Sequence, residues 1–428
     1  MRFRHLSILL LAGASLWAQG RSTPQKTLPN STKLIEIRVL GSARYQTAEL
    51  VSATGLKLGD AGTEAALNAG AERLASSGMF TEVTYSYVSF PEGTRAEYKV
   101  HDVEKLFPAH FDNFVWMPRE ELLRELRRRQ PLFVGEVPDG GELYTRLAEN
   151  VKAILAEKNV ETTVSVHPQA PQEGGKILGF VYTVEGVRTP IRSMEFPGAD
   201  AEMAAALKTV AAARIGSDYT EAGLSTFARL DLLPEYLARG FLKAGFEAPE
   251  FTLTEAASNA VVVRLPVKEG LRYQLSGFEW SGNSAFTAQE LAKSMKVESG
   301  KWANQLRLNE DLKEISKLYG TKGYMEARLK ALPTFDDSAR TVAFRMEVQE
   351  GAQYHMGVVR VEGPDAIGKK FHELWKLRMG DVFDSGYGHV FLQALGRQVD
   401  LRGFKIGVSQ SMNRESRTVD LVFRFTPR

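Results

Sequence analysis

The residues best able to hold a metal ion or move a proton near neutral pH are the seven histidines, His5, His101, His110, His167, His355, His372 and His389. Metal chemistry on a helix needs imidazoles at short spacing, as in His-Glu-x-x-His, and no two of these stand so. Each reads as a surface or structural residue. The adjacent acids Glu120-Glu121 and Asp336-Asp337 fall on an expected helix and in an expected turn, and read as solvated groups and not as a general acid and base. The chain has no cysteine, which removes disulfides, thiolate metal sites, a cysteine nucleophile and a lipid-modified cysteine behind a leader. It has no Gly-x-Ser-x-Gly elbow, no Walker loop and no strand-linked Gly-x-Gly-x-x-Gly turn. No enzymatic activity, cofactor, metal or small-molecule substrate is therefore expected. A formal net charge of +2 gives no case for a nucleic-acid partner. The run Arg119 to Arg129 offers guanidinium groups to lipid phosphate. Leu122, Leu123 and Leu126 give it an apolar face, however, so it reads as an amphipathic helix with solvated charges. Trp116 and Trp375 read as buried anchors in preference to exposed binding aromatics.

What remains is organisation at the level of whole polypeptides. A length of 428 residues exceeds one core and implies two to several domains. Hydrophobic residues at 43% and charged residues at 25% suit a folded chain. Arg2, Arg4 and His5 precede an apolar stretch from Leu6 to Ala18, the length of a signal-peptide core and short of the ~20 residues a membrane span needs. Residues 1–18 are expected to be a cleaved export signal, with a retained anchor as the alternative, and residues 19–33, with Pro24 and Pro29, a flexible lead-in. No other stretch reaches spanning length, so the mature chain is expected to be soluble.

Internal repetition is the main signal. Gly41 and Gly59, Gly198 and Gly216, and Gly282 and Gly300 are each 18 positions apart, and Gly363 and Gly380 are 17 apart. In three copies an acid follows closely: Asp60, Asp218 and Asp381. A strand at Leu275 to Trp280, a turn at Ser281-Gly282-Asn283 and a capping box at Thr287 to Glu290 open the clearest copy. A second helix follows, with Leu308, Leu312, Ile315 and Tyr319 at helical intervals. It closes on Gly plus an apolar or aromatic residue, as at Gly78-Met79, Gly240-Phe241, Gly323-Tyr324 and Gly403-Phe404. Two hairpin strands come next, and a Val-x-Glu-Gly junction at Val267 to Gly270 and Val348 to Gly351 leads into the following copy. The expected repeats are 34–103, 104–188, 189–270, 271–351 and 352–428, of about 70 to 85 residues each. The second is degenerate, and Pro234 in the third should kink or break its second helix.

The order β-α-α-β-β, the Val-x-Gly-Asn/Ser turn (here Val39 to Ser42), the closing Gly-aromatic pair and the Val-x-Glu-Gly junction resemble POTRA domains, the polypeptide-transport-associated modules of BamA-type outer-membrane assembly factors. The resemblance covers about Leu34 to Arg428 and implies an α+β chain of about five units, each a three-stranded sheet covered by two helices. Short junctions imply a curved, stiff rod. BamA-type proteins carry a membrane β-barrel after such a string. Here the sequence ends at Arg428 with the fifth repeat, so it resembles the periplasmic part alone.

The resemblance further implies a periplasmic scaffold for outer-membrane β-barrel assembly or secretion. Its implied partners are unfolded outer-membrane protein precursors or a separate outer-membrane barrel protein, with possible accessory lipoproteins, and it would be held at the outer membrane through them. Such a chain would bind extended polypeptides by strand addition, in which exposed backbone groups at a sheet edge pair with an incoming segment. By analogy the edge is the strand after the second helix, with Val83, Tyr85, Tyr87, Val164, Val166, Phe251, Leu253, Arg328, Leu329, Lys330, Ile406 and Val408 as candidate binding residues. The alternative is an envelope-organisation or cell-division docking module that retains its N-terminal anchor.

Overall fold

The computed structural model describes residues 4–8, 33–170, 175–255 and 259–428. Of the expected leader and lead-in, residues 1–3 and 9–32 lie outside the described residues. The fourth repeat shows the module in regular form. It runs from the strand Gln274–Ser281 through the helices Ala288–Ala292 and Gln305–Thr321 to the strands Arg328–Asp336 and Thr341–Gln349. The last strand lies in the middle of the sheet, parallel to the first and antiparallel to the second. Its alternation is strict: Val342, Phe344, Met346 and Val348 are buried and point to one face. The helices cover that face with Leu291, Leu308, Ile315 and Tyr319. Full burial of each such side chain contributes roughly 1.5–3 kcal/mol. Both helices start on side-chain caps. Glu290 N–H donates to Thr287 Oγ1 at 3.2 Å, Thr287 N–H donates to Glu290 Oε2 at 2.7 Å, and Arg307 N–H donates to Asn304 Oδ1 at 2.9 Å.

The first repeat (Leu34–Leu40, Thr47–Thr54, Glu64–Ser76, Phe80–Phe90, Gly93–Asp102) and the fifth (His355–Glu362, Asp365–Leu374, Tyr387–Gly396, Phe404–Asn413, Thr418–Pro427) have the same order and the same central last strand. The second inserts a two-residue strand, Glu136–Val137, between its helices Arg119–Arg129 and Leu143–Glu157. In the third, Glu221–Phe227 widens into a π turn at Ala228–Leu232 before resuming at Leu233–Ala238. Pro234, which cannot donate and whose ring crowds the carbonyl four residues earlier, sits just past that π turn.

By contacts the chain divides into two units. One comprises residues 1–194, 214–226 and 249–264, and the other residues 195–213, 227–248 and 265–428. Each unit is held by the same repeated pieces of sequence. The first glycine of a pair passes the last strand so closely that a Cβ on Gly282 would lie 2.2 Å from the Val348 carbonyl oxygen; Gly41 and Gly198 meet Val100 and Val267 likewise. The second, as at Gly300 with φ +80°, turns the chain back so that its N–H donates to Leu275 O at 2.7 Å. The acid of Val-x-Glu-Gly closes the same corner. Glu350 Oε1 accepts from Ala285 N–H at 2.7 Å, and Glu269 Oε1 accepts from Asp200 N–H at 3.0 Å and from the Tyr236 hydroxyl at 2.9 Å. Asp102 does this in the first repeat, accepting from Ala43 N–H at 2.9 Å.

Candidate functional site

Strand addition needs an unpaired sheet edge. The strands Thr163–Gln169, Glu250–Glu255, Arg328–Asp336 and Phe404–Asn413 each lie at the edge of their sheet. The first repeat differs from expectation. Arg4–Ile8 pairs antiparallel with Phe80–Phe90, with Ile8 opposite Val83, Leu6 opposite Tyr85 and Arg4 opposite Tyr87. The edge expected to be open at Val83, Tyr85 and Tyr87 is therefore occupied, and the occupant comes from the stretch read as an export signal. An extended segment of the chain's own takes up the backbone groups that an edge leaves free. The side chains of Val83 and Tyr85 are buried in the module core.

The four remaining edges differ in how far they are guarded. In Thr163–Gln169, Val164 and Val166 are half-buried and Pro168 removes a donor. In Glu250–Glu255, Phe251 and Leu253 are half-buried, Phe251 lies 5.6 Å from the Tyr219 ring, and Glu250 pairs with Arg264 at 3.5 Å. In Arg328–Asp336, Arg328 and Lys330 are exposed, Leu329 packs on the core, and Pro333 interrupts the donors. Charges and prolines of this kind oppose uncontrolled pairing.

The strand Phe404–Asn413 is unlike these. It is ten residues long, has Lys405 as its one charge, contains no proline and is exposed from Lys405 onward. Ile406, Val408 and Met412 are 36%, 50% and 42% exposed. Their direct partners Phe425, Phe423 and Val419 are buried. Directly paired residues share a face, so the three lie on one face at the rim of the fifth core, with Gln410 between Val408 and Met412. Such a strand presents about 33 Å of edge.

Two arginines and both tryptophans singled out in the sequence have partners within the fold. Arg128 and Arg129 both bond Glu125, and Arg129 also reaches Glu157 at 2.8 Å. The Arg128 hydrogen bond, assisted by Arg129, holds the Glu125 carboxyl down at about 2. Trp116 is buried and its indole N–H donates to Asn259 Oδ1 at 3.0 Å. Trp375 is half-buried, stacked on Phe371 at 5.2 Å, and donates to Leu377 O at 2.7 Å. Among the described residues no cluster of three or more histidine or acidic side chains could hold a metal, and no helix is long and apolar enough to cross a membrane.

Within each unit, successive modules meet through hydrogen bonds. The Tyr45 hydroxyl donates to Leu132 O at 2.7 Å, and burial pushes its pKa up. Gly78 packs against Gly140 and Gly141, where a Cβ would lie 2.1 Å from the Gly140 carbonyl oxygen. Asp112 Oδ1 accepts from Ala222 N–H at 2.7 Å. Tyr273 N–H donates to Gly240 O at 2.9 Å, and Tyr354 N–H donates to Gly323 O at 2.8 Å. These links could not be read from sequence, because their partners lie tens of residues apart.

The family model for POTRA, described as surface antigen variable number repeat, matches residues 273–351. The outer membrane protein assembly factor BamA of Neisseria meningitidis is 24% identical over 212 residues, 46% of this chain and 26% of that protein. A putative outer membrane protein assembly factor of Treponema pallidum is 23% identical over 249 residues, 56% of this chain and 29% of that protein. The chain thus matches less than a third of the length of either relative. Among solved structures, POTRA domains 3–5 of BamA from Haemophilus influenzae align over 56% of this chain and 96% of that one, at 19% identity and a TM-score of 0.43.

Proposed function

We propose that this string of POTRA-like modules, related to the periplasmic region of BamA-type assembly factors, serves outer-membrane protein assembly or secretion by capturing extended polypeptides at the edge strand Phe404–Asn413. The observation that carries the reading is the exposed apolar set Ile406, Val408 and Met412 on a long edge without proline. A precursor strand with apolar residues at every second position would add its own row beside these, while its backbone pairs with the free donors and acceptors. Affinity would then depend little on client sequence, as a carrier of many barrel precursors requires. The partners are unfolded outer-membrane precursors or a separate barrel protein, and the place of action is the periplasm. The chain acts as a scaffold and not as an enzyme.

Hydrogen exchange on the whole chain, with and without a synthetic barrel-strand peptide of alternating apolar and polar residues, tests this. Protection should appear at the amides of 404–413 and be lost in Val408→Lys, which remains folded because Val408 is exposed. Protection that is absent, or that survives Val408→Lys undiminished, refutes the assignment. In cells, a photo-crosslinker at Val408 should recover barrel precursors or a barrel protein; recovery of inner-membrane division proteins alone sinks the reading.

A further inference from the structure

Two successive joints use the same three positions with their charges exchanged. The loops closing the second helix are Gly240-Phe241-Leu242-Lys243-Ala244 and Gly323-Tyr324-Met325-Glu326-Ala327, so Lys243 and Glu326 occupy one position. Each loop carbonyl, Gly240 O or Gly323 O, receives the backbone N–H of the tyrosine that opens the next module. Tyr273 and Tyr354 are both buried. The third position lies in the hairpin turn of that next module. Asp336 pairs with Thr341 and Asn413 with Thr418, so Asp337 and Arg414 are each the first turn residue. The two turns match in detail. Ala339 N–H donates to Asp336 Oδ1 at 2.8 Å and Ser416 N–H to Asn413 Oδ1 at 3.1 Å, and Arg340 and Arg417 both have φ +52°.

At the first joint Lys243 Nζ donates to Asp337 Oδ1 at 2.8 Å, and at the second Arg414 Nε donates to Glu326 Oε1 at 2.9 Å. The tyrosine hydroxyl follows the acid. Tyr273 donates forward to Asp337 in the turn at 2.7 Å, whereas Tyr354 donates back to Glu326 in the loop at 3.1 Å. Lys243 also lies 4.5 Å over the Phe335 ring, and the Arg328 charge acts on Glu326.

We infer that these loops are charge-coded docking surfaces for the following hairpin: residues 240–244 take an acidic β-turn and residues 323–327 a basic one. All four charged groups reach solvent, so each pair adds little as an isolated attraction. Its effect lies in discrimination, since a wrong turn would set like charges against one another beside a buried tyrosine. The code selects which hairpin seats on which module among modules of one fold.

The chain has no native cysteine, so spin labels at introduced cysteines report one joint cleanly. With labels at Asn309 and Lys369, the whole chain should give a narrow distance distribution. E326R should lower the closed-to-open ratio about two- to fivefold, and E326R/R414E should restore it. Exchanging the turns, D337R/R414D, should loosen the labelled joint, and adding K243E/E326K should reclose it. Should E326R not fold by circular dichroism, neutral E326Q is used, with a smaller loss expected. An unchanged distribution in E326R or E326Q, or a double reversal as broad as the single, overturns the inference.

Discussion

Replacing Gly282 and Gly300 by alanine, one at a time, separates two reasons for a glycine that look identical in sequence. Both have left-handed backbones, φ +77° and +80°, which for an L residue costs roughly 1–2 kcal/mol. At Gly300 nothing lies within 4 Å of the added Cβ, so that is the whole effect. At Gly282 the Cβ would lie 2.2 Å from Val348 O and 3.2 Å from Val348 C, both backbone atoms of the central strand. That strand is held by its antiparallel neighbour, with Val348 opposite Leu329. Relief requires moving the strand or the turn by about 1 Å, and such overpacking typically adds about 1–3 kcal/mol. Gly282→Ala should therefore cost about 2–5 kcal/mol in all, about 3.5 kcal/mol at the midpoints. A chain of several modules need not unfold in one step, so the assay is hydrogen exchange at the amides of Thr341–Gln349. Protection should fall about tenfold in Gly300→Ala and several-hundredfold in Gly282→Ala. Equal losses, or a larger loss in Gly300→Ala, would refute the close-approach argument.

Asp311 is buried, and its Oδ2 accepts from Lys296 N–H at 2.8 Å and Val297 N–H at 3.0 Å. Asp311→Ala should destabilise the fourth module by about 3 kcal/mol and Asp311→Asn by about 1 kcal/mol, read from hydrogen exchange at the amides of Thr341–Gln349; a neutral Asp311→Ala would show that water serves these amides equally well. The joints should respond to acid. The Lys243 and Tyr273 hydrogen bonds hold Asp337 below its ordinary value of 3.8, and those from Arg414 and Tyr354 hold Glu326 below 4.5. Carboxylates lowered in the folded state contribute fully above their ordinary values and lose that contribution as pH falls through the lowered ones. The closed population at the labelled joint should thus stay flat from about pH 8 to 5 and fall below about pH 4. Glu326→Gln should remove the acid step, and opening between pH 5 and 8 would contradict the assignment.

Much of the architecture was legible because local chemistry marks it. Thr287 with Glu290 announces a helix start, alternation in Thr341–Gln349 announces a half-buried strand, and Pro234 announces a distorted helix, which here widens into a π turn. Even the degenerate second repeat yields its first helix from the apolar face of Leu122, Leu123 and Leu126. What stayed hidden depends on partners far along the chain. Glu350 can be recognised as recurrent, but its role is to accept the Ala285 amide 65 residues away. Asp102 plays that part in the first repeat without the Glu-Gly signature, and Asp311 resembles any other acid of a solvated helix face until its two amide partners are placed. The pairing of Arg4–Ile8 with Phe80–Phe90 was missed for a different reason: an apolar stretch behind basic residues reads as a leader, and composition does not show that it can also extend along a strand.

An open sheet edge is both the feature strand addition needs and the feature that makes sheets aggregate. The modules divide these demands. Proline at position 168, Arg328 with Lys330, and proline at position 333 blunt the edges of the second and fourth sheets, and half-buried side chains limit the third. The fifth edge keeps a long, almost uncharged face with three apolar residues at the rim of its core. Were the four unpaired edges equivalent capture sites, there would be no physical reason for charges and prolines to fall on some and spare the longest of the four. The uneven guarding supports the proposed capture on one strand, and the two charge-coded joints proposed above would fix which hairpin follows the third and the fourth module.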